Sequence, residues 1–278
     1  MNEKPTTPEF RLLLACSSVL SNQENQARLL EILTDGIDWT LLAKKSVEHG
    51  LAGLVGQTLN GAALDMMPHE IRDAFFASAN QTRQRNRALF DELAGVAEVL
   101  ANNGVRAIAF GGPVLALQAY GDLGRRVVRE LEFLIRDPDI AQTISTLRGL
   151  GYERRAPSNA ARLELIQRLQ GHEALFKKAL KIGVKAHTRL APLMLDIDYE
   201  GLWHRAQRTT INGRALMTLA PEDEVLALAV HGGQELWWSM GRVCDVAHFI
   251  GSHPNLDWTA ILERARTQGC LRMVLLAA

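Results

Sequence analysis

The chain has 278 residues, 47% hydrophobic and 22% charged, with 31 Lys+Arg against 31 Asp+Glu and a formal net charge of zero. Such a chain is long enough for one large or two smaller globular domains. The charge balance excludes a dedicated non-specific nucleic-acid binder, which needs a net basic surface. No window reaches the ~20 apolar residues of a membrane span, and the opening "MNEKPTTPEF" has no apolar signal core. Three scattered cysteines, Cys16, Cys244 and Cys270, suit a reducing cytoplasm better than a disulfide scaffold.

The first hundred residues read as helices. Thr7 caps and Pro8 opens the stretch "EFRLLLACSSVL". "NQARLLEIL" follows, then "DWTLLAKKSVEHG", closed by Gly50, and a short helix over Leu51–Leu59. A long helix is predicted from Pro68 to about Asn102, with Leu89, Leu93, Val96 and Leu100 on one stripe. Its middle, "NQTRQRN", is polar all round. It reads either as a solvated span or as a face from which Arg83, Arg85 or Arg87 overhangs a cleft.

After Gly104 the texture changes. "VRAIAF" is a buried-strand run, "GGP" a turn, "VLALQAYG" a short helix and "ELEFLI" a second strand. "DIAQTISTLRGLGY" is a helix ended by glycines, and "ALFKKA" with "GVKAHTRL" reads as a hairpin. "ALMTL" is a short strand before a helix started by Pro221 and its acidic neighbours. The rest, through "RVCDVAHFI" and "DWTAILERARTQG", is helical. The fold class is therefore α+β, with a helical region over 1–103, an α/β core over 104–220 and a C-terminal helical region over 221–278.

Two features carry chemistry. A strand that ends in Gly111-Gly112 and opens onto a helix brings backbone N–H groups close to an anion, although such pairs also serve as plain turns. Glu130 and Glu132 alternate on the next strand and so face one side, with roots roughly 7 Å apart at the ~3.3 Å rise per residue. At an effective dielectric near 20 they repel by about 2 kcal/mol and call for a cation. Paired carboxylates on one strand hold divalent metal in nucleotidyl transfer; the alternative is a solvated strand face. A second acidic pair, Asp196-x-Asp198, follows Pro192 without a Gly-Gly turn upstream and reads as a helix cap. His231 and His248 read as packing or helix-end residues, and Asp245, on an apolar face, needs an internal partner if buried.

The run "GVRAIAFGGPVLALQAYGDLGRRVVRELEFLIRDPDIAQTISTLRGLGYE" resembles the core of an uncharacterised bacterial nucleotidyltransferase family of the polymerase-β-like superfamily. The likeness continues through "GVKAHTRL", "LAPEDEVLALAVHGG" and "VCDVAHFI…LDW", and with "DWTLLAKKSVEHGLAGLV" it covers most of the chain. It implies a small mixed sheet flanked by helices and a Mg²⁺-dependent transfer of a nucleoside monophosphate from an NTP to a hydroxyl. Glu130 and Glu132 would hold metal, while Gly111, Gly112 and Arg126 would seat phosphates. The family turn carries Lys-Gly, its acidic pair is Asp-x-Asp, and a third acid stands where Lys185 does here. An ammonium there repels divalent metal and offers it no oxygen, so Lys185 is the candidate cation for the glutamates. The departures leave two alternatives: a member that binds nucleotide or a partner without metal and without catalysis, and an interaction module using its N-terminal helices against another protein. The acceptor is not legible.

Overall fold

The computed structural model describes residues 7–19, 22–59, 61–154, 171–191 and 194–278. The first six residues and Pro192, both used in the sequence reading, lie outside them. Six helices come first: α1 (Pro8–Cys16), α2 (Asn22–Leu33), α3 (Trp39–Glu48), α4 (Ala52–Thr58), α5 (Gly61–Asp65) and α6 (His69–Asn102). The α/β part follows as β1 (Ala107–Phe110), α7 (Gly112–Tyr120), β2 (Glu130–Ile135), α8 (Ile140–Gly149), β3 (Glu153–Arg154), β4 (His172–Lys177) and β5 (Ile182–His187). Then come α9 (Tyr199–Arg205), β6 (Gln207–Ile211), β7 (Arg214–Thr218), α10 (Pro221–Gln234), α11 (Met240–Ser252), α12 (Trp258–Thr267) and α13 (Leu271–Ala277).

The strands form one mixed sheet in the order β3-β4-β5-β2-β1-β7-β6. β1 pairs antiparallel with β2, β2 parallel with β5, and β1 parallel with β7. One face of the sheet packs on α6, α7 and α8 through Leu89, Phe90, Leu131 and Phe133. The other buries Ile108, Phe110 and Leu134 against Trp203 and Ala227. The N-terminal and C-terminal helices share a single apolar cluster, joining Leu12, Leu29 and Leu54 to Val225, Phe249 and Ile261. Thus the two ends of the chain build one helical body beside the sheet. Among the described residues no helix is long and apolar enough to cross a membrane, and all three cysteines are free and buried.

Local signals explain several element ends. Thr7 accepts from Phe10 N at 3.4 Å and Asp198 from Gly201 N at 2.8 Å, so Asp198 is a helix cap. The strand β6 was not anticipated. It pairs with β7 across Asn212-Gly213, both at positive φ, the two-residue turn that matches strand twist. The stretch "NQTRQRN" is mostly solvated, with Asn80, Gln81, Gln84 and Arg85 exposed, but it also holds a neighbouring loop. Arg83 grips Asp122, with Nε and NH2 at 3.2 and 3.0 Å, and Arg87 meets Asp91 at 3.5 Å. Asn86, fully buried, donates to the carbonyls of Leu123 and Arg126 at 2.6 and 2.7 Å. The polar middle of α6 is therefore the seat of the loop that leads into β2.

Candidate active site

The turn after β1 has backbone that only glycine adopts readily. Gly111 has φ +54° and Gly112 φ +44°. Space is equally restrictive, because a Cβ on Gly111 would stand 2.5 Å from Glu132 Oε2. That contact follows from register: Glu132 pairs with Phe110, the residue just before the turn. Two positions earlier on the same face is Glu130. The next strand, β5, sets Gly183 beside Glu130 and Lys185 beside Glu132.

The cation that makes the pair tolerable is a side chain. Lys185 Nζ lies 2.5 Å from Glu130 Oε1. His187 Nε2 is 3.4 Å from Glu132 Oε1, outside hydrogen-bond geometry. Burial raises the Glu132 carboxyl. The His187 imidazole, with His231 and Lys185 behind it, outweighs that and holds the group well below the usual carboxylate range. His231 itself is pushed down to about 4 by burial, against the pull of Glu132, and stays neutral at pH 7.

Two further carboxylates underlie the turn. Glu224, in the first turn of α10, is buried, and its carboxyl is pushed up to about 7 by desolvation, only partly offset by the Gly111 backbone amide. Asp245 on α11 accepts from Arg126 Nε and NH2 at 2.8 and 3.0 Å and from Tyr120 OH at 2.9 Å. Arg126 also donates from NH1 to the Gly112 carbonyl at 3.0 Å. Three of its five N–H groups are thus spent inside the protein. Arg126 orients the glycine turn and leaves little capacity for an incoming phosphate.

Gly112, Arg126, Glu130, Glu132, Lys185 and His187 line one cleft of about 800 Å³, walled by the sheet, the loop after α7, the α3–α4 turn and the α10–α11 turn, while Glu224 is buried behind it. Arg125, Arg129, Arg189 and Arg242 line it as well. Of these, Arg129 is exposed and makes no ion pair among the described residues. Arg83, Arg85 and Arg87 do not line it.

Residues 35–278 match a family described as an uncharacterised nucleotidyltransferase. The chain belongs to that family. No curated protein matches. Among solved structures, an antigenic nucleotidyltransferase-like protein from Paracoccidioides brasiliensis is 17% identical, over 68% of this chain and 92% of that one, with a TM-score of 0.38. That likeness is too loose to bear on the site. Nucleotidyltransferase chemistry implies a divalent metal, and the residues here do not fit one. Among the described residues no group of three His, Cys, Asp or Glu gathers to hold a metal ion, and Glu130 is already bonded to an ammonium.

Three groups at this site escaped the sequence reading. Glu224 looked like one of three acids complementing a helix N-terminus. His231 looked like a packing residue, and its ring does lie 6.2 Å from Phe110, yet it also lines the cleft. Arg129 had no distinguishing signal.

Proposed function

We propose that the cleft receives a nucleoside triphosphate, and that metal-dependent transfer of its nucleoside monophosphate to a hydroxyl acceptor is impaired in this nucleotidyltransferase. The observation that carries this reading is the 2.5 Å contact between Lys185 and Glu130. Mg²⁺ binds through ionised oxygens, and here the ammonium holds one of them. A dication about 4 Å from a fixed ammonium meets a repulsion of about 8 kcal/mol at an effective dielectric of 20, before desolvation is counted. The same ammonium attracts phosphate oxygens, and Arg129 adds a second cation. The amides at the start of α7 supply N–H groups for an anion. Binding through these groups needs no metal.

Isothermal titration of ATP with the full chain, in Mg²⁺ and in EDTA, tests this directly. Comparable affinity in both, with no nucleotidyl mass added to candidate acceptors, is the expected result. Tight binding that requires Mg²⁺, with transfer at an ordinary enzymatic rate, overturns the reading.

A further inference from the structure

The α10–α11 turn, "GGQELWWS", which walls one side of the cleft, has an unusual geometry. The helix ends with Trp237 N donating to Gly232 O at 2.9 Å and Leu236 N to Gly233 O at 3.1 Å. This paired pattern normally places glycine at the left-handed position. Here Leu236 and Trp237 both occupy it, at φ +55° and +53°. Bulky side chains adopt that conformation only where surrounding structure enforces it.

The enforcement is visible on both sides. The Trp237 ring lies where a Cβ on Gly232 would stand and packs against the shared helical core. Ser239 Oγ donates to His49 O at 3.3 Å, and Met240 N approaches His49 Nδ1 at 3.5 Å. Arg242 closes the loop with a two-pronged pair to Glu235, at 2.8 and 2.7 Å. Between these braces stands Trp238, 67% exposed and lining the cleft. The turn is thus strained and clamped, with its one unclamped indole presented to the site.

We propose that Trp238 is the platform on which the nucleobase of the bound nucleotide stacks. This rests on the nucleotide reading of the cleft. The chain's reach from His231, which lies beside the acidic pair, puts Trp238 at most ~16 Å away. That span suits a nucleotide with its phosphates at the Gly111-Gly112 turn and its base at the mouth. A flat apolar ring held rigidly stacks on any base, because every base has a π-face. Stacking of this kind fixes the base's position rather than its identity. The inferred substrate class is therefore nucleoside triphosphates with little base discrimination.

The test compares ATP, GTP, CTP, UTP and inorganic tripolyphosphate as titrants of the full chain, wild type, Trp238→Ala and Trp238→Phe. Trp238→Ala weakens all four nucleotides by about 5- to 150-fold and leaves tripolyphosphate unchanged, whereas Trp238→Phe stays near wild type. The exposed side chain takes little part in packing, and a thermal melt of each variant checks that it still folds. Nucleotide affinity unaltered in Trp238→Ala overturns the stacking role and leaves the cleft assignment standing. Nucleotide and tripolyphosphate affinity falling together also overturns it, because the residue then acts through the loop. A wild-type chain that binds neither overturns both proposals.

Discussion

Replacing Asp245 by Asn removes one charge from a nearly dry ion pair while keeping an oxygen for Tyr120 OH. The pair is buried on both sides, with side-chain exposures of 12% for Arg126 and 5% for Asp245, and is joined by contacts of 2.8 and 3.0 Å. Breaking such a pair from one side leaves a guanidinium stranded in low dielectric, at a cost of about 3–5 kcal/mol. Unfolding entropy of about 2 cal/mol/K per residue over 278 residues converts that into a fall in melting temperature of about 5–9 °C. Arg126→Met should cost a similar amount. The double variant, which leaves no unpaired charge, should cost at least ~2 kcal/mol less than the two singles added together. Urea denaturation of the four proteins, followed by tryptophan fluorescence, supplies the cycle. Single costs that simply add, or a cost below ~1 kcal/mol for Asp245→Asn, would refute the claim that this pair holds the glycine turn in place.

Glu224→Gln tests the raised carboxyl. The folded chain keeps to about pH 7 a proton that the unfolded chain releases near 4.5, so this group lowers stability progressively across that window. The variant should therefore be more stable than wild type by about 3 kcal/mol at pH 8, with the gain vanishing by pH 4.5; a pH-independent difference counts against it. Gly111→Ala meets both a left-handed φ and the Glu132 carboxylate, and should cost about 1–3 kcal/mol in a denaturation curve. Lys185→Glu combined with Glu130→Asp and Glu132→Asp should raise Mg²⁺ affinity, measured by calorimetry. No gain over wild type would show that Lys185 does not govern metal binding.

The sequence carried the fold well where hydrophobic period and punctuation agree. The run from Ala107 through Gly149 contains a strand, a glycine turn, a helix, a strand and a helix, each with its own local signal. Likewise the cap at Asp198 and the hairpin of β4 and β5 follow from residue type and spacing. β6 was hidden because Gln207, Arg208 and Thr210 are exposed on an edge strand and show no apolar alternation; only Asn212-Gly213 pointed to it. At the site, charge called for a cation beside the glutamates and the family resemblance pointed to Lys185, which does meet Glu130. The fate of Arg126 could not be read, because its partner Asp245 lies on α11, far along the chain. Asn86 is similar: its polarity was evident, but its two carbonyl partners come from another element.

The sheet's centre also sets an order of events in folding. β1 borders β2 on one side, a pairing that closes soon after it is made, and β7 on the other, where Ala109 meets Thr218. Until the ribosome has delivered Thr218, the apolar run Ile108–Phe110 is an open edge, with unpaired N–H and C=O groups ready to template another chain. The wait is long, since such distant parallel pairing closes slowly. A chain interrupted before β7 therefore exposes its most hydrophobic strand. Nascent-chain aggregation should drop abruptly once translation passes that point.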